Sequence, residues 1–294
     1  QCYMFKSLQS FRLTTPLLLI GLTSLLSCDR YDDPVLQIMS PCDENELPGF
    51  EPLSSDFQRV LVEDFTAHQC GACPPAGLQM KQLFEEHPGQ VIPLAIHAGP
   101  LANTNSQFPT DWRCEEGNQF WDDIGSSLNP VGRVNRRPTE VTFLSVSQWA
   151  EEVEGFTDNI PMAGIQMEIA HDTLRQKTTV HVHVTWFDNV DGSVRLSLLI
   201  SENNLVAPQL WYPSANPPGP GFVENYTHNH VLRGSINGAK GLVIATGVIA
   251  GDTQQHCYTF QWNSDWRAEN SEIIALLTDD GGAVIQGFSS TLLP

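Results

Sequence analysis

Apolar positions change their spacing twice along the chain. A short apolar run at Leu17–Leu26, interrupted by Gly21, Thr23 and Ser24, gives way to an acidic, proline-bearing stretch without periodicity that lasts to about Ser55. Residues 59–67 are β-branched and aliphatic over strand length, and Leu78, Met80, Leu83 and Phe84 then recur at roughly helical spacing as far as Glu86. A strand is predicted at Val91–His97, then a helix over Trp112–Leu128 with Phe120, Trp121, Ile124 and Leu128 inward. A further helix, capped by Ser145 or Ser147, is predicted through Glu154. From Ile165 the pattern becomes alternation, at Ile165–His171, Thr179–Trp186, Ser193–Ile200, Cys257–Trp262, Ile273–Leu277 and Ala283–Phe288. Asp191-Gly192 and Asp280-Gly281 read as hairpin turns, and the five prolines between Ala207 and Gly221 read as a long loop of the kind that often carries function.

These elements divide the chain into 1–27, a signal segment; 28–55, an acidic tether; 56–160, an α/β domain; and 161–294, an all-β domain. About seven short strands with little helix predict an immunoglobulin-like sandwich for the last part. Between the strand at 59–67 and the helix that follows stands Cys70-Gly71-Ala72-Cys73, a CxxC pair. Strand, dithiol, helix is the context of redox rather than zinc chemistry. A thiol at a helix N-terminus meets unpaired N–H groups and the positive end of the macrodipole, which favours its thiolate. Two intervening residues let the second sulfur resolve a mixed disulfide formed by the first.

The segment resembles the thioredoxin superfamily: Asp64 stands where that family places a buried acid, and Phe65, Ala67 and Gly71 also match. Gln69, Ala72 and Pro74 depart from it, so a redox potential does not carry over. The resemblance implies Cys70 as attacking thiol, Cys73 as resolving thiol, Asp64 as proton carrier and a cis-proline loop facing the dithiol, for which Pro130 is the candidate. Arg133, Arg136 and Arg137, just beyond that loop, either steer an acidic partner or balance an acidic surface.

Lys6 and Arg12 ahead of the apolar run form an export signal, with Met4 as the expected initiator, and Leu25-Leu26-Ser27-Cys28 resembles the bacterial lipobox, which implies acylation at Cys28. Removing that signal deepens a formal charge of −19. Such a surface repels phosphate, which argues against nucleic acid as a partner and leaves the lipid as the membrane anchor. Export places the remaining cysteines in an oxidising compartment; the pairing of Cys42, Cys114 and Cys257 stays open. His181 with His183, and His228 with His230, alternate as strand pairs, but without a nearby carboxylate or cysteine pattern they read as polar sheet faces rather than a metal site.

Together, the lipobox, the Val62–Pro74 segment, Asn135-Arg136, Thr227–Arg233 and the terminal hairpin resemble the outer-membrane protein 28 family of Gram-negative lipoproteins. That resemblance implies an outer-membrane, lipid-anchored location. Three functions remain in competition: thiol–disulfide exchange on exported proteins, without any cofactor; a surface interaction or adhesion protein that uses the fold as scaffold and binds a surface partner; and metal capture by Cys70, Cys73 and His68 or His97.

Overall fold

The computed structural model describes residues 38–40, 42, 48–137 and 142–293; the signal segment, Cys28 and much of the acidic stretch lie outside them. A short strand, β1 (Ile38–Ser40), is followed by β2 (Val60–Thr66), α1 (Cys73–Glu86), β3 (Val91–His97), α2 (Glu115–Ile124), β4 (Val131–Val134) and α3 (Trp149–Thr157). Then come β5 (Ala163–Asp172), β6 (Lys177–Trp186), β7 (Val190–Glu202), β8 (Leu205–Trp211), β9 (Gly221–His228), β10 (Val231–Ser235), β11 (Leu242–Val248), β12 (Thr253–Gln261), β13 (Ser271–Thr278) and β14 (Val284–Thr291).

The expected α/β thioredoxin-like domain followed by a separate immunoglobulin-like sandwich is not what forms. One eight-stranded mixed sheet, in the order β14-β13-β7-β10-β3-β2-β4 with β11 also on β7, takes strands from both halves of the chain. Its seam is backbone pairing: Val231 of β10 lies parallel to Ala95 of β3, Ala95 N donates to His230 O at 2.8 Å, and Val284 N donates to Asn135 O at 2.8 Å. The molecule is mostly strand, with only three α-helices among the described residues, and no α/β unit stands apart from the β part.

The physical reason lies in β7 and β13, which are buried on both faces. Leu196, Leu198 and Ile200, with Ile273, Ala275 and Leu277, face Val180, Val182, Val184 and Trp186 of β6, which belongs to a second sheet ordered β1-β12-β6-β5. Leu199, Ile274 and Leu276 point the other way, onto Leu61, Ile92, Leu94, Phe120 and Ile124. Strands with two apolar faces cannot close a free-standing sandwich, because one face would be left in water. Helix α2, with the inner faces of β2 and β3, supplies the cover.

Local details depart from expectation in the same spirit. Helix α2 stops at Ile124 because Gly125 takes a left-handed cap (φ 61°), so Leu128 lies outside it and is 71% exposed rather than inward. Asp191-Gly192 lies inside β7 rather than in a turn; β6 and β7 belong to opposite sheets and are not a hairpin. Asp280-Gly281 does join β13 to β14. Within the 28–55 stretch, Ile38–Ser40 pairs antiparallel with Thr259–Phe260 of β12, and Cys42 is disulfide-bonded to Cys257, with Cα atoms 5.6 Å apart. Cys114 is a free thiol that caps α2 by accepting from Gly117 N.

Because the two halves share a sheet and a core, they are expected to unfold together. Urea unfolding followed by near-UV and far-UV circular dichroism should give one coincident transition, and residues 56–160 and 161–294 expressed separately should each lack native near-UV signal. Two resolved transitions, or a folded 56–160 fragment, would contradict this architecture.

Candidate functional site

Strand β2 is buried along its whole length and ends in the loop that carries the dithiol. Adjacent residues of a strand face opposite sides, and here two neighbouring acids meet opposite surroundings. Glu63 is wholly buried and bound by Arg133 Nη2 at 2.8 Å and Arg136 Nη2 at 2.7 Å. Burial alone raises its pKa, but the two guanidiniums outweigh that and hold it below the ordinary carboxylate range. Arg133 and Arg136 are therefore held by Glu63, and Arg137 lies over the Phe156 ring. Arg133 and Arg136 thus lie with Glu63 on the face of β2 opposite Asp64, where they balance a buried acid rather than steer a partner to the dithiol.

Asp64 has no such partner. Burial raises its pKa from 3.8 to about 8, and its Oδ1 lacks any hydrogen bond within the protein. It lines a cleft of about 460 Å³ together with Cys73, Met80, Phe84 and His228. His228 and His230, also on this cleft, are depressed to about 4 by burial, and burial likewise holds His97 far below its usual range. The imidazoles are neutral at physiological pH. Asp64 is the group in this cleft that changes protonation close to neutrality.

The loop after β2 turns twice, with Cys70 N donating to Ala67 O and Cys73 N to Cys70 O, both at 3.1 Å. Helix α1 begins at Cys73, and Pro74 and Pro75 occupy its first turn, where no backbone donor is needed. Cys70 and Cys73 are disulfide-bonded, with Cα atoms 5.4 Å apart. The strand–dithiol–helix junction is as expected, but the access to it is not: each cysteine is only 2% exposed.

The cover is the β8–β9 hairpin, a two-stranded arm outside both sheets. Leu210 N donates to His68 O at 2.9 Å and Tyr212 N to Gly71 O at 2.8 Å, while Gln209 Nε2 donates to Cys70 O at 3.1 Å. The Tyr212 ring lies where a Cβ at residue 71 would be, so only glycine fits there. Ala72 is the exposed residue of the motif. Part of the proline-rich stretch expected as loop is thus strand, Ala207–Trp211, and the loop proper runs over residues 212–220.

Asn129–Pro130 is a cis peptide. The following residue, Val131, pairs with Phe65, and Asn129 Nδ2 donates to Phe65 O at 3.0 Å, which places Pro130 beside the end of β2 just upstream of the dithiol. His68 Nε2 donates to Asn103 O at 2.9 Å, and the ring stacks on Phe108. Neither it nor His97 joins Cys70 and Cys73 in a set of converging donor atoms among the described residues, and His181 and His183 are not brought to His228 and His230. Gln209 and Tyr212 were not legible as site residues; their only signal was the aromatic pair Trp211-Tyr212 within a proline-rich stretch.

The Asp64 shift has a sign that can be measured. Between 3.8 and about 8 the unfolded chain releases this proton while the folded one keeps it, so stability falls as pH rises through that window and levels off above it. Asp64→Asn should match the parent near the lower limit and exceed it near the upper one by roughly 2–5 kcal/mol in urea denaturation. An Asn variant with the parent's pH profile would show that Asp64 is not the buried acid responsible.

The fold resembles solved structures. HBP35 of Porphyromonas gingivalis superposes with a TM-score of 0.60 at 17% identity, over 81% of this chain and 76% of that one. A protein of Agrobacterium tumefaciens superposes with a TM-score of 0.50 at 12% identity, over 81% of this chain and 96% of that one. At such identities the likeness concerns fold alone. No curated protein matches the chain. The sequence pattern of outer membrane protein Omp28 matches residues 117–292, from within α2 to the end of β14, with Cys70 and Cys73 upstream of it. Since that match spans more than half of the 294 residues, the chain belongs to the outer membrane protein Omp28 family.

Proposed function

We propose that this outer membrane protein, anchored by lipid at Cys28, exchanges disulfides with exported proteins through Cys70 and Cys73. The observation that carries the reading is the unpaired, buried Asp64 carboxyl, with a pKa of about 8, on the same cleft as Cys73 at the start of α1. A buried acid without a partner weakens a fold, and such groups concentrate where protons are moved. In the reduced chain the Cys70 thiolate attacks a partner disulfide, forming a mixed disulfide and releasing one partner thiolate. The ionised form of Asp64, which a pKa of about 8 leaves accessible near neutrality, takes the proton from Cys73, whose sulfur then attacks Cys70 and releases the second partner thiolate. The partner gains two electrons, and the chain returns to its Cys70–Cys73 disulfide. The β8–β9 arm has to move aside for the first step, and it is suited to do so because it belongs to neither sheet.

The seal over the sulfurs favours a second reading. Both cysteines are 2% exposed beneath Gln209 and Tyr212, as a permanent staple would be. The chain would then be a surface interaction protein whose arm and 212–220 loop serve binding.

Residue-resolved alkylation after reduction by a small dithiol separates the two. For exchange, the pair should be reducible in the folded chain, and Cys70→Ser should abolish turnover of a disulfide substrate. Tyr212→Ala should speed reduction about tenfold, as expected when roughly 1.4 kcal/mol of closure is lost. A disulfide that yields only on global unfolding, at the same rate in Tyr212→Ala, would leave the staple.

A further inference from the structure

On the outer face of the four-stranded sheet, three side chains with metal-binding chemistry stand in one row across neighbouring strands. Glu168 on β5 pairs in register with His181 on β6, and His181 pairs in register with Cys257 on β12. Directly opposed residues of adjacent strands share a face and bring their Cβ atoms to about 5 Å. Cys42, arriving from the segment after β1, closes over this row. The Cys42 and Cys257 sulfurs and a His181 ring nitrogen all lie within 4.8 Å of one another, and Cys257 Sγ is 3.8 Å from His181 Nε2.

A disulfide alone needs neither an imidazole nor a carboxylate beside it. Two thiolates, an imidazole and a carboxylate are, by contrast, the donor types that zinc and other thiophilic d10 cations take. The sulfurs come from positions 215 residues apart, so no short-range motif announces them. We propose that Cys42, Cys257 and His181 form a second, redox-gated site that binds a thiophilic divalent cation, with zinc as its representative, when the Cys42–Cys257 disulfide is reduced. Glu168 stands next in the row, at the position from which a fourth donor can approach.

In the oxidised chain the sulfurs are tied to each other and uncharged, and the site is closed to metal. A dithiol reductant supplies two electrons and two protons, becomes a disulfide itself and leaves Cys42 and Cys257 as thiols. Zinc then displaces both thiol protons to solvent and binds two thiolates and the His181 nitrogen. The His181 Nδ1 atom is buried with no hydrogen-bond partner, and burial favours the neutral form of the ring that a cation requires. Either state clasps the segment around β1 to β12, by a covalent bond when oxidised and by the cation when reduced.

The test uses the full chain carrying Cys70→Ser and Cys73→Ser, so that the other dithiol cannot contribute. After reduction and anaerobic removal of the reductant, zinc titration against a chromophoric chelator should give one equivalent per chain, and cobalt should give a sulfur-to-metal charge-transfer band. The oxidised chain should bind none. His181→Ala should weaken binding by at least about tenfold, the lower end of what loss of even an outer partner produces. In the chain with all cysteines present, zinc should slow alkylation of reduced Cys42 and Cys257 in residue-resolved mass spectrometry. Failure of the reduced chain to bind zinc, equal binding by the oxidised chain, unchanged affinity in His181→Ala or alkylation indifferent to zinc would each overturn the proposal.

Discussion

Burial of β7 and β13 on both faces is the constraint from which the rest of the molecule follows. Their alternate side chains enter two different cores, so each core is needed to keep the other dry. One core is closed by the four-stranded sheet, the other by α2 and the strands that flank the dithiol loop. Chain order then decides what lies near the sulfurs. The β8–β9 arm is an excursion between β7 and β10, and β10 is the neighbour of β3, so the arm leaves the sheet beside the end of β3 and β2 where the CxxC loop begins.

Much of the local structure was legible. The strand at 60–66, the helix beginning at the CxxC, the strand at 91–97, the capped helix after Ser145 and the hairpin at Asp280-Gly281 all follow from period and turn chemistry. Pairing was not, because period reports which face a residue takes and not which strand lies beside it. Ser193–Ile200 and Ile273–Leu277 pass for alternation, yet Leu198-Leu199-Ile200 and Ile273-Ile274-Ala275-Leu276-Leu277 are near-continuous apolar runs. Such runs carry the mark of strands covered on both sides, and that mark was the available warning that the β half could not stand alone.

At the site, the cysteines, Asp64 and the cis Asn129–Pro130 bond lie on the path of a single strand and its neighbour, which is why motif reasoning reached them. The arm that seals the sulfurs comes from some 140 residues later, as the Gln209-to-Cys70 bond records, and no spacing rule connects positions so far apart. The same limit hid the Glu168–His181–Cys257 row. His181 stands out in the sequence as one of an alternating pair, but the carboxylate and the thiol that give it meaning come from adjacent strands and are aligned only by register. Glu63 and Asp64 show the complementary case, where adjacency in sequence misleads. One backbone step reverses the direction of the side chain, so one carboxyl meets two guanidiniums and the other is buried with no hydrogen bond to its Oδ1.

The three residues of β1 also blunt an edge. Strand β12 would otherwise present bare N–H and C=O groups along Thr259–Phe260, and unpaired strand borders are templates on which another copy can grow. By laying its own leading segment there and bolting it through Cys42, the polypeptide denies that template to neighbours crowded beside it. Self-association along this border is thereby discouraged at the level of the backbone.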